Sequence, residues 1–255
     1  MDDDYRWFEF VDQPPERRIP IEQRFPTDWP WLSGAYAWSE GVGVIRSLGS
    51  EIDPTGESLE RASQWLERIR QSPRNNALCP RIFVSHRQPD DKEALRIAWL
   101  AKQEGWGYWL DLVDLNASSQ LAALQNWLGA PPNALQKSIF TAALIEMGLL
   151  NCTHVIAVMT GNTKGSQWVP YEYGRVKEAT PLAMNAASWW DSTTLKFNQL
   201  PEYLFLAPIL ENELQIRGWL KGQLFALKSS NRYLRCPGTA GSWHLKTPPD
   251  ELPTK

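Results

Sequence analysis

CTHVIAVMTGNTKGSQWVPYEYGRVKE, residues 152–178, decides the reading of the fold. His154 to Met159 is an almost continuous apolar run, too short for a typical helix and rich in β-branched Val and Ile, which predicts a strand buried on both faces. Gly161, Asn162, Lys164 and Gly165 then break the pattern. A helix is expected from near Ser166, with Pro170 in its first turn, where a missing N–H is tolerated. Trp168 and Glu172 are four apart and share one helix face, which sets a carboxylate beside an indole. The carboxyl end of a buried strand is where open α/β sheets bind their ligands.

Upstream, RIFVS at 81–85 reads as a first strand and His86 to Asp91 as its exit loop. Asp90 to Glu104 carries Ala94, Ile97, Ala98 and Ala101 on one face, with Arg96 among the polar remainder, and Gly105 closes it. WGYWLD at 106–111 predicts the next strand, parallel to the first, with Asp111 at the same sheet edge as His86. The connection from Leu112 to Asn133 is too long to be structureless, and a short helix is expected in it up to Leu128, serving as a lid or an assembly element. Leu135 to Leu150 predicts a helix leading into the quoted stretch. Downstream, a shorter strand is expected at Leu182 to Ala187, and partial helix around Pro208 from Leu200 to Leu227.

Residues 1 to about 53 are dense in Trp and Pro, which excludes long helices and leaves either an arm whose rings anchor in the body or an aromatic patch for a partner. A helix with Leu59, Ala62, Leu66 and Ile69 on one face follows at Glu57 to Gln71. The organisation expected is an N-terminal arm and helix at 1–78, a main domain at 79–227 and an extended tail at 228–255.

Composition narrows the function classes. A formal net charge of −3, with Lys and Arg scattered, lacks the electrostatic footprint of a nucleic-acid binder. Three distant cysteines with no Cys-x-x-Cys indicate neither a disulfide framework nor a metal site, and suit a reducing cytoplasm. No signal peptide or membrane-spanning run is expected, so no membrane partner is either. His154, opening a buried strand, and His244, in the tail, read as structural.

FVSH in the first strand, an acidic-led helix, YWLD in the second, HVIAVMT in the third and S-x-W-x-x-x-E at the following helix together resemble a Toll/interleukin-1 receptor (TIR) domain of the bacterial kind, over roughly Cys79 to Leu227. The resemblance implies a flavodoxin-like α/β fold, a central parallel sheet flanked by helices, here with a Trp/Pro-rich N-terminal extension. It implies NAD+ as substrate with no separate cofactor, Glu172 as the catalytic residue, and Ser85, His86, Arg87 and Asp111 lining the nucleotide pocket. Trp168, read from its own position, is expected to pack the helix start onto the sheet and to wall the pocket. It also implies homo-oligomers through TIR–TIR contacts, a sensor or effector protein as partner, and a setting in antiviral defence. Arg87-Gln88-Pro89 and the long second loop depart from the family pattern. A non-enzymatic TIR interaction module and a nucleoside deoxyribosyltransferase-like enzyme remain as alternatives.

The chemistry is coherent on its own terms. Nicotinamide leaves NAD+ as a neutral base and needs no general acid, so one carboxylate against the ribose suffices to stabilise the oxocarbenium-like centre. With Pro170 as first helical residue, Glu172 would lie in the opening turn, where the helix dipole favours a negative charge by ~0.3–1 kcal/mol.

Overall fold

The computed structural model describes residues 44–48, 56–71, 80–110, 125, 128–178, 185–229 and 250–253. Most of the arm at 1–53, the linker at 72–79, Asp111 and the connection as far as 124, the strand start at 182–184, and most of the tail including His244 lie outside the described residues. In chain order the elements are α1 (Gly56–Gln71), β1 (Arg81–Ser85), α2 (Asp91–Gln103), β2 (Gly107–Leu110), α3 (Ala134–Asn151), β3 (His154–Met159), α4 (Trp168–Glu178), β4 (Ala186–Trp190), β5 (Ile209–Leu210) and α5 (Glu213–Ser229). The chain forms two compact units, one from residues 1–75 and 113–150, the other from 76–112 and 151–255.

The second unit is built on a five-stranded sheet in the order β2-β1-β3-β4-β5, with every pairing parallel. Parallel pairing forces each connection to cross back over the sheet, so helices cover its faces and the strands become apolar throughout. All residues of β1, β3 and β4 are buried. One face packs Ile82, Val84, Ile156, Val158 and Trp189 against Ala94, Ile97 and Ala101 of α2 and Ile216 and Leu220 of α5. The opposite face carries Phe83, stacked at 4.4 Å on Trp109 across the β1–β2 pair, and Ser85, which bonds α4. Gly105, at a φ of +84°, stops α2 in the left-handed conformation that glycine adopts without strain.

Three features of this unit differ from the sequence reading. β4 spans Ala186–Trp190 rather than 182–187, because Ala-Ala-Ser-Trp-Trp shows no β-branched run yet is buried along its whole length. β5, two residues directly after Pro208, is a strand the sequence did not announce. Arg96 is buried rather than solvated: its Nε and Nη2 each meet a Glu213 carboxylate oxygen at 2.8 Å, and its guanidinium lies 4.7 Å from the Trp99 ring. This ion pair joins α2 to α5, and Glu213 also accepts the backbone N–H of Leu252, which docks a buried side chain from the tail.

The first unit holds α1 and α3 with a helical turn at 44–47. The buried face of α1 is Ser58, Ala62, Trp65 and Ile69, whereas Leu59 is exposed, so the large indole and not the leucine sets the stripe. α3 begins at a reciprocal capping box: Gln136 N donates to Asn133 Oδ1 at 2.8 Å and Asn133 N donates to Gln136 Oε1 at 2.9 Å. The same two side chains donate to the carbonyls of Leu48 and Ile45, tying 44–48 to the helix start.

Candidate functional site

The strand order reverses direction at the β1–β3 boundary, since β2 lies to one side of that pair and β4 to the other. At such a switch point the loops leaving the two strands diverge and open a crevice at the carboxyl edge of the sheet. Ser85 ends β1 there, in register with Ala157 of β3.

α4 supplies the second half of the site. Its buried positions are Val169, Glu172, Tyr173 and Val176, a stripe at three- and four-residue spacing. Glu172 is therefore a carboxylate set in an otherwise hydrophobic stripe and is only 3% exposed. Burial of a charge demands a partner. Ser85 Oγ donates to Glu172 Oε2 at 2.5 Å. The pair joins the end of β1 to α4 across 87 residues of chain.

The helix start differs from expectation. α4 begins at Trp168, which makes Pro170 the third helical residue and leaves no acidic residue in the first turn. Glu172 thus lies beyond the turn where the macrodipole acts most strongly, and the Ser85 hydroxyl is a local donor to it. Val169, fully buried, and not Trp168, pins this end of the helix to the sheet. Trp168 is 44% exposed and meets Tyr171 edge to face at 5.8 Å, which leaves an indole at the surface one turn from Glu172.

The remaining expected residues separate. His86 is buried, with Nδ1 3.1 Å from the Val84 carbonyl and Nε2 3.2 Å from Asp91 Oδ1, and so braces the loop between β1 and α2. Arg87 is exposed and its Nη1 donates to the carbonyl of Asn162 at 2.7 Å, reaching from the loop after β1 to the loop after β3. Asp111 lies outside the described residues. His154, at the opposite strand end, is buried with its ring edge-on to Trp106 at 4.7 Å and Trp219 at 5.9 Å. Burial holds its pKa down at about 4, against a smaller opposing effect of the Gln223 side chain.

The sequence reading passed over Asp90, Thr160 and Asn162. Thr160 Oγ1 and Asn162 Nδ2 both donate to Asp90 Oδ1, at 2.8 and 2.7 Å. The signal available was short polar residues directly after β3, the position that caps a turn; Thr160 does cap the turn at Gly161–Thr163. That turn is fixed on its other side by Gly161 N donating to Thr194 Oγ1, at 3.0 Å. Among the described residues no group of His, Cys, Asp and Glu is arranged to hold a metal ion, and no helix is long and apolar enough to cross a membrane.

No family model and no curated protein sequence matches the chain.

Proposed function

We propose that the chain is an NAD+ glycohydrolase or cyclase with a flavodoxin-like, TIR-type main domain, and that Glu172 is its catalytic carboxylate. The observation that carries this reading is the buried Ser85–Glu172 pair at the carboxyl edge of β1, beside the switch point of a 2-1-3-4-5 parallel sheet. The S-x-W-x-x-x-E resemblance supplies the substrate. In the proposed reaction the bond between the nicotinamide nitrogen and ribose C1′ breaks, and its electron pair leaves with nicotinamide as a neutral base. Glu172 stabilises the positive charge that develops on the ribosyl centre. Water, or a nucleophile within the same molecule, then bonds to C1′ and releases its proton to solvent, giving ADP-ribose or a cyclic isomer. Ser85 holds Glu172 in place, Arg87 meets the diphosphate, and Trp168 covers a ring of the dinucleotide. Antiviral signalling with self-association is the setting that the resemblance suggests.

The test is Glu172→Gln, which keeps the side-chain shape and can still bond Ser85 while removing the charge. NAD+ cleavage, followed by mass spectrometry of the products, should drop by about 10²-fold or more, because each ~1.4 kcal/mol of lost stabilisation is tenfold. NADH, whose dihydronicotinamide is a poor leaving group, should resist cleavage. Wild-type turnover by folded Glu172→Gln would refute the assignment, and base exchange between nucleosides would point to a deoxyribosyltransferase.

A further inference from the structure

Asp90 is a buried carboxylate, 2% exposed, that the proposed reaction leaves unused. It occupies the N-cap position of α2, where an Asp side chain ordinarily accepts from the first N–H groups of its own helix. This one makes no such bond. Its Oδ1 reaches instead to Thr160 and Asn162, 70 and 72 residues further along the chain, while Oδ2 has no hydrogen-bond partner among the described residues. A carboxylate that forgoes its local role and collects two donors from a remote loop stabilises the seam between those loops more than its own helix.

That seam lies between the exits of β1 and β3, the strands that flank the switch point. Asn162 is held from two directions, its side chain by Asp90 and its carbonyl by Arg87 Nη1 at 2.7 Å. Asn162 N also donates to Thr160 Oγ1, and Thr160 N donates to Thr163 Oγ1, which ties the turn to itself. The chain of bonds Asp90, Asn162, Arg87 therefore fixes one guanidinium nitrogen, and the fork carries further N–H donors for an anionic ligand.

We propose that Asp90 is a positioning residue: by holding Asn162 it fixes Arg87 in the orientation that receives the diphosphate of a dinucleotide. The ligand in this statement rests on the proposed NAD+ reading, whereas the seam itself does not.

Two measurements on the full chain test it, amide hydrogen exchange across residues 160–166 and steady-state NAD+ cleavage. Asp90→Ala should speed exchange in that loop by about tenfold or more. It should raise KM about tenfold while leaving kcat within about twofold, as expected when a binding contact is loosened and the reacting carboxylate is untouched. Asp90→Asn retains an acceptor oxygen for Thr160 and Asn162 and should restore both readouts. Asn162→Ala removes one donor without touching Asp90; it should move both readouts the same way by less, and it decides the matter if Asp90→Ala does not fold. Unchanged exchange, a loss confined to kcat, or an Asp90→Asn variant as impaired as Asp90→Ala would overturn the proposal. Wild-type protein that neither binds nor cleaves NAD+ refutes the functional reading and the ligand with it, and the exchange data then decide the seam by themselves.

Discussion

Acidification should destabilise this protein through His154 as the pH falls below 6.5. His154 is buried, with Nδ1 2.9 Å from Thr153 Oγ1. Burial favours the neutral ring, and a proton gained there would place a charge between the indoles of Trp106 and Trp219. Burial lowers the folded-state pKa from 6.5 to about 4. Between those values the unfolded chain binds a proton that the folded chain refuses, so stability falls as pH falls. The gap of roughly two and a half pH units, at about 1.36 kcal/mol each, amounts to about 3 kcal/mol, fully present above pH 6.5 and lost by about pH 4. Urea unfolding at a series of pH values, for wild type and His154→Leu, isolates the effect from the carboxylates common to both. The wild type should lose about 3 kcal/mol more than the variant across this window. Parallel pH profiles for the two proteins would refute the reasoning.

Ser85→Ala should leave the fold in place but deprive a buried carboxylate of a charge-assisted donor worth about 1.5–3 kcal/mol, which should appear as a 10- to 100-fold drop in NAD+ turnover; wild-type kcat in this variant would detach Ser85 from the site. Trp168→Ala, at a half-exposed position, should keep the melting temperature within a few degrees and raise KM about tenfold if the indole covers a ring of the ligand, as base stacking on an aromatic contributes about 1–3 kcal/mol. Arg96→Met should cost about 3 kcal/mol in denaturant unfolding, since it strands Glu213 beside a buried surface, and the double variant with Glu213→Gln should recover part of the loss.

The strands that make the site were legible because their burial is written into a contiguous run. RIFVS and HVIAVM are apolar on both faces, and their observed ends, Arg81–Ser85 and His154–Met159, match the reading to the residue. β4 hid because small Ala and Ser residues carry little hydrophobic signal, although Trp189 is fully buried. Glu172 was found through a spacing motif, but its burial followed from a helix stripe, Val169 to Val176, that the motif does not contain. Arg96 and Asp90 were misjudged or passed over for one reason: their partners lie 117, and 70 or 72, residues away, and no local pattern reports a long-range ion pair or hydrogen bond.

The tie between residues 44–48 and the capping box at Asn133 and Gln136 has a consequence for how the chain is made. The two compact units are interleaved along the polypeptide, each having one part on either side of a segment that belongs to the other. On a ribosome, which releases about 5–20 residues per second, Ile45 and Trp65 emerge seconds before the α3 segment that completes their unit. β1 and β2 appear during that wait, and they in turn lack β3 until α3 has been synthesised. The first unit is complete only when residue 150 has been made, and the second only later, so until then the nascent chain carries two unfinished apolar surfaces at once. Slowing translation between codons 75 and 151 should therefore lower the soluble yield, whereas a slow stretch after codon 229 should leave it unchanged.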